Sequence, residues 1–203
     1  MIVAYVGSGG KTTLIMRRAR ECVGQGLKVL VTTSTRMYIE PEALLTDDPQ
    51  PIIRRMQKAG LVIAGLQYGE KMGPLPMETY LAVCAKADVV LVEADGSKRM
   101  PFKFPADHEP VIYDNTDEIV VVCGLHGLGK PAKEVCHRLS LVKNCLGIDD
   151  DTIIDAGHVR KLVTEGYVCP LRARYPGKKL TVALVYDDTP EQKAAALKII
   201  EEL

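Results

Sequence analysis

The chain has 203 residues, 26 basic and 26 acidic side chains and a hydrophobic fraction of 47%, enough for one sizeable core and not for two large ones. A formal net charge of +0 and a pI near 6.9 exclude a protein whose main task is holding nucleic acid, which needs a clustered excess of Lys and Arg. Aromatics at 5% and the lack of tryptophan leave little for extended stacking platforms. No apolar run approaches the roughly 20 residues that span a bilayer, so small-molecule chemistry in the cytoplasm is the expectation.

Residues 2–6 form a continuous apolar run of the buried parallel-strand kind, with no basic stretch or cleavage site to make it a signal peptide. The run leads into Val6-Gly7-Ser8-Gly9-Gly10-Lys11-Thr12-Thr13, ahead of an amphipathic helical pattern over 12–25 that stops at Gly26. Strand, glycine-rich turn and helix in that order make a phosphate site. Glycines let consecutive backbone N–H groups converge on an anion, and the helix N-terminus adds the positive end of its dipole. Lys11 is expected to reach the β and γ phosphates and act in catalysis, and the Thr12 hydroxyl to ligate Mg²⁺. The nucleotide-binding set is therefore Gly7, Ser8, Gly9, Gly10, Lys11, Thr12 and Thr13. The loop is two residues shorter than the common form, and its Gly-x-x-Gly-Lys-Thr spacing resembles the nucleotide loop of the Mur ligases and folylpolyglutamate synthetases.

A second strand at 28–33 ends in the hydroxyl run Thr32-Thr33-Ser34-Thr35, followed by Arg36. Hydroxyls suit phosphate oxygens or metal-bound water, and Arg36 is a candidate to stabilise phosphoryl charge in a transition state. A helix at 51–59, a strand at 61–66 and a helix at 76–87 come next. Then four apolar residues of a strand at 89–93 run into two carboxylates in Val89-Val90-Leu91-Val92-Glu93-Ala94-Asp95-Gly96. Glu93, with Gly96 three residues on, has the layout of the acid-x-x-Gly switch of GTPases, and Asp95 is the competing Mg²⁺ ligand. In an open sheet the ends of parallel strands face one crevice, so these acids are expected beside the glycine loop.

The stretch from Ser97 to Asp117 is a long connection rich in Pro, Lys and Asp, functional or mobile by its length. A strand at 119–123 precedes a weaker glycine loop, Gly124 to Lys130, in which Pro131 prevents a P-loop helix start. Residues 133–175 read as a small helical subdomain with helices at 134–146 and 155–164. A strand at 180–186 and a helix at 190–203, capped by Thr189, follow. This alternation predicts one α/β domain over 1–203, a doubly wound, mostly parallel sheet of the P-loop NTPase type. The six cysteines show no Cys-x-x-Cys pair and read as reduced thiols, and Cys123, His126, Cys136 and His137 fit no compact zinc spacing. Of the guanine-reading Asn-Lys-x-Asp element only Asp188 has a counterpart after the last strand, which leaves ATP and GTP both open.

With the loop at 6–13, the run at 32–36, Glu93-Ala94-Asp95-Gly96-Ser97-Lys98, Phe104-Pro105 with His108-Glu109-Pro110-Val111, and Gly124-Leu125 with Leu128-Gly129-Lys130-Pro131, in this order, the chain resembles the selenium-dependent hydroxylase accessory proteins, the YqeC family, over nearly its whole length. The resemblance implies Mg²⁺-dependent nucleoside triphosphate binding, with hydrolysis or phosphoryl or nucleotidyl transfer, in the maturation of selenium-dependent molybdenum hydroxylases. It makes the molybdenum cofactor or the hydroxylase itself the expected partner. Under it, Lys98, Lys103, His108 and Glu109 are candidates to meet a second, anionic substrate, or a solvated loop; His108 and Glu109 are alternatively acid–base groups. Two other readings stand beside it. One is a nucleotide-switched, chaperone-like binding module with little turnover; the other is an ATP-dependent ligase with a Mur-like loop, whose acyl-acceptor domains 203 residues do not hold.

Overall fold

Nineteen strands and helices, two-residue strands included, run through the computed structural model, which describes residues 1–201. In chain order they are β1 (Ile2–Ser8), α1 (Lys11–Gly24), β2 (Val29–Thr33), β3 (Met37–Tyr38), β4 (Leu44–Leu45), α2 (Pro49–Ala59), β5 (Leu61–Tyr68), β6 (Lys71–Gly73), α3 (Met77–Cys84) and β7 (Val89–Glu93). There follow β8 (Phe102–Lys103), β9 (Glu118–Gly124), α4 (Ala132–Val135), β10 (Cys136–His137), α5 (Leu139–Leu146), α6 (Ala156–Val163), α7 (Cys169–Arg174), β11 (Lys179–Val185) and α8 (Pro190–Glu201). A 3₁₀ turn at Leu125–Gly127 and a π turn at Thr164–Val168 complete the helical segments.

The chain divides into two units. The first comprises Met1–Tyr5, Thr12–Gly96 and Val111–Glu118. Its strands lie in the order β1, β7, β2, β5, β6, β3, with β4 also on β5. The β1–β7, β7–β2, β2–β5 and β4–β5 pairings are parallel, while β5–β6 and β6–β3 are antiparallel. The central strands are mostly apolar and buried because both faces are covered. Leu30, Val62, Ala64, Val90 and Val92 pack with Ile52 and Met56 of α2 and Tyr80 and Val83 of α3. Helix α2 starts where Asp48 accepts from Gln50 N at 2.8 Å and stops where Gly60, at φ 75°, returns its N–H to Met56 O.

The second unit comprises Val6–Lys11, Ser97–Pro110 and Ile119–Leu203, of which residues up to 201 are described. Here β11 and β9 precede β1 in the strand order, and β8 pairs in parallel with β10. Phe102, Val121, Cys123, Leu162, Val163 and Tyr167 enclose its interior. Helix α6 opens on a capping box, Asp155 Oδ1 accepting from His158 N at 2.9 Å, and Thr189 Oγ1 accepts from Gln192 N at the start of α8.

The structure is the α/β fold with a mostly parallel sheet that the alternation predicts. The helix expected over 134–146 is broken. Cys136 and His137 leave helical geometry to pair with Phe102 and Lys103, and Arg138 turns into the left-handed region at φ 58° before α5 begins. The connection after Gly96 is correspondingly not structureless, since Pro101, Phe102, Lys103 and Pro110 are buried. The β5–β6 hairpin also goes beyond the expected strand at 61–66. A side chain at Gly65 would put its Cβ 2.3 Å from Met72 Cγ, so glycine is what lets the hairpin close.

Candidate functional site

Three glycines with positive φ shape the phosphate loop: Gly7 at 92°, Gly9 at 72° and Gly10 at 135°. Packing forbids side chains at two of them as firmly as the backbone does. A Cβ on Gly7 would stand 2.2 Å from Val122 O, and one on Gly9 would stand 2.7 Å from Pro101 O and 2.9 Å from Gly124 Cα. Ser8 Oγ donates to the same Pro101 O at 2.9 Å and pins the loop there. Lys11, only 4% exposed, begins α1 and donates from Nζ to Gly7 O at 2.6 Å, which brings its charge back over the loop. These contacts all lie within the second unit. Gly124 is the other half of the Gly9 contact, so the weaker glycine run at 124–130 supports this loop.

The next residue along the chain, Thr12, belongs to the first unit, where its Oγ1 donates to Glu93 Oε2 at 2.7 Å. Glu93 is the last residue of β7, in register with Tyr5 of β1 on one side and Thr33 of β2 on the other. Its backbone is fixed by Thr33 Oγ1 and Ser34 N, which donate to Glu93 O at 2.7 and 3.1 Å. Asp95 is completely buried, and Ala94 between the two acids is held by Tyr5 O and the N–H of Val111. The oxygens of Thr12 and Glu93 fit Mg²⁺, because adjacent oxygens around an octahedral ion at 2.0–2.1 Å lie about 3 Å apart. Among the described residues no group of three or more His, Cys, Asp and Glu forms a metal cage. Mg²⁺ does not need one, since it takes one or two carboxylates and completes its shell with phosphate oxygens and water.

The hydroxyl run at 32–35 is spent mainly on the backbone. Thr32 donates to Ala64 O, Thr33 to Glu93 O and Ser34 to Val111 O, while the buried Thr35 Oγ1 has no hydrogen-bond partner among the described residues. Arg36 lies with its guanidinium 3.6 Å from the centre of the Tyr68 ring, a cation–π contact.

The candidates for a second substrate fall into two classes. Lys98 and His108 are exposed, whereas Lys103 has a fully buried side chain whose Nζ lies 2.8 Å from Glu109 Oε2. Glu109 also takes both terminal nitrogens of Arg138 and the N–H of Ala106. Burial would raise the Glu109 carboxyl, but the Arg138 and Lys103 bonds outweigh it and hold it at about 2. His137 is pushed below its ordinary value by burial and then by Arg138, Lys103 and Lys98. Sequence reasoning missed Arg138 and weighed His137 only as a zinc ligand, because a continuous helix was expected there and the strand pairing that aligns His137 with Lys103 has no local signal.

Two solved structures align with most of this chain as distant likenesses. A chain of the MinC:MinD cell division protein complex of Aquifex aeolicus covers 90% of it and 67% of its own length, with a TM-score of 0.45 and 11% identity. Hydrogenase maturation factor HypB of Archaeoglobus fulgidus covers 98% and 88%, with a TM-score of 0.39 and 14% identity. Among curated proteins, the one described as "Uncharacterized protein YqeC" of Escherichia coli (strain K12) is 30% identical over 171 residues, 80% of this chain and 67% of that protein. Residues 3–140, which hold the glycine loop, both acids and the Lys103–Glu109–Arg138 cluster, match the model of the family described as "YqeC protein", and the chain belongs to that family.

Proposed function

We propose that this protein binds a nucleoside triphosphate with Mg²⁺ and hydrolyses it, or transfers its phosphoryl or nucleotidyl group, in the maturation of selenium-dependent molybdenum hydroxylases in the cytoplasm. The observation that carries the reading is the loop itself. Three glycines of positive φ, held open by packing that admits no Cβ at Gly7 or Gly9, lead into a 14-residue helix that begins at Lys11. Backbone N–H groups of Gly9, Gly10, Lys11, Thr12 and Thr13 bind the phosphates, and Lys11 supplies charge for the β–γ oxygens. Thr12 and Glu93 would hold the metal, with Asp95 the competing ligand. When bound, Mg²⁺ offsets the charge that develops on the transferred group. Arg36, now on the Tyr68 ring, is the candidate to stabilise charge on the transferred group. Lys98 and His108 meet an anionic second substrate, and the buried Lys103–Glu109 pair fixes the segment that carries them.

Titration calorimetry with ATP, GTP and CTP, with and without Mg²⁺, tests the reading. Lys11→Ala is expected to lose at least roughly tenfold in triphosphate affinity, in keeping with about 1.5–3 kcal/mol for hydrogen bonds to a charged group. An affinity unchanged within about twofold would overturn it. A steady-state rate of phosphate release, stimulated by an oxyanion or the hydroxylase, supports an enzyme; tight binding without turnover supports the nucleotide-switched module.

A further inference from the structure

We infer that Tyr186, backed by His126, is the shelf on which the base of the bound nucleotide stacks, and that the preferred base is a purine. The inference rests on the phosphate-loop reading above and extends it to the part of the ligand that the loop does not touch. Tyr186 directly follows β11 and has a φ of 60°, in the left-handed region that a residue with a large side chain rarely enters. Such a conformation persists where its surroundings fix it, and outliers of this kind gather at ligand sites. Here the surroundings are the loop. A Cβ on Gly10 would stand 2.9 Å from Val185 Cγ2 and 3.0 Å from Tyr186 Cε2, so the ring lies against the residue just before Lys11.

His126 meets the Tyr186 ring edge to face, with centres 4.6 Å apart and planes at 75°. It sits in the 3₁₀ turn that follows Gly124, the residue packed on Gly9. Tyr186 therefore lies against Gly10 and His126 follows two residues after the glycine packed on Gly9, and all of these residues belong to the second unit. His126 Nδ1 is buried without a hydrogen-bond partner among the described residues. Burial, followed by the nearby Lys130, lowers the imidazole below its ordinary value, so the ring is neutral near pH 7 and leaves the phosphates to Lys11. Tyr186 remains 39% exposed. An open aromatic face beside an anion-binding loop suits the π-face of a base and offers nothing to a phosphate. Stacking explains how a base is held where the Asn-Lys-x-Asp element is missing, and it favours the larger purine face while distinguishing adenine from guanine only weakly.

The chain has no tryptophan, so Tyr186→Trp introduces a single fluorescent reporter. Its emission is expected to be quenched by ATP and GTP, less by CTP, and not by tripolyphosphate, which has no base. Tyr186→Gly accepts the left-handed backbone and tests the same idea by calorimetry. It is expected to lose roughly 5- to 150-fold in ATP and GTP affinity, the range of base–aromatic stacking, with tripolyphosphate affinity held within about twofold and Tyr186→Phe restoring nucleotide binding. If tripolyphosphate binds and Tyr186→Gly takes ATP as well as wild type does, the shelf is wrong and the loop reading survives. If wild type binds neither tripolyphosphate nor any nucleotide, the loop reading fails and the shelf falls with it.

Discussion

The Thr12 hydroxyl and the Glu93 carboxylate are 2.7 Å apart, and that contact ranks the two acids at the end of β7. Glu93 shares a hydrogen bond with a residue of the phosphate-loop motif, whereas Asp95 is fully buried two residues on. Glu93→Gln can still accept from Thr12, so the fold survives while the negative charge is lost. It is expected to weaken Mg²⁺-dependent nucleotide binding about tenfold or more, Asp95→Asn is expected to have a smaller effect, and neither should change binding in EDTA. Calorimetry in the two buffers checks this, and equal losses in both would remove the metal role from the two residues. The positive-φ glycine loop ahead of α1 and the strand end carrying the acids were legible in the sequence because both are tied to local order along the chain. The hydroxyl run from Thr32 to Ser34 was not, because nothing local tells a hydroxyl bound for phosphate from one that donates to Ala64, Glu93 or Val111 carbonyls.

At the scale of elements the departure from expectation is concentrated around β10. The window at 134–146 has helical periodicity, yet two of its residues are drawn into strand pairing with β8, and Arg138 is turned toward Glu109. The repeating apolar strands β1, β2, β5, β7 and β9 were readable as such; a two-residue strand held by its partner was not. The tie has a pH signature. Glu109 titrates at about 2 in the folded protein against an ordinary 4.5, so the stability it contributes is complete above pH 4.5 and is lost as the pH falls toward 2. Glu109→Gln leaves the buried Lys103 ammonium without its carboxylate and is expected to cost about 3–5 kcal/mol at neutral pH. It should also flatten the fall in melting temperature through that acid window. Thermal denaturation of both proteins across the range measures the two effects, and a variant with the wild-type acid slope would assign that slope to other carboxylates.

At the scale of the whole molecule, a formal net charge of +0 conceals an uneven distribution. Burial, then Arg138, Lys103 and Lys98, lower His137 below its ordinary value, with Glu109 as the opposing charge among these groups. The segment from Ser97 to Pro110 presents these groups in two states of order. Phe102 and Lys103 are paired in β8 and buried, while Lys98 and Arg99 are exposed at φ 49° and 63°, and Asp107 and His108 are exposed as well. The length of the connection was legible in the sequence, but its division into a fixed centre and open shoulders depends on pairing with residues 34 positions away. Hydrogen exchange should therefore be slow at Phe102 and Lys103 and fast around Lys98 and His108, and molybdate, phosphate or the hydroxylase should slow the shoulders while leaving the centre as it was. Lys98→Ala and His108→Ala are expected to lower hydroxylase maturation severalfold at wild-type nucleotide affinity, because the contacts proposed for them are with the second substrate and not with the triphosphate. Uniform exchange through the segment, unchanged by every anion and by the hydroxylase, together with full maturation by both variants, would make the exposed residues ordinary solvated surface and leave the Lys103–Glu109–Arg138 cluster a purely structural clasp.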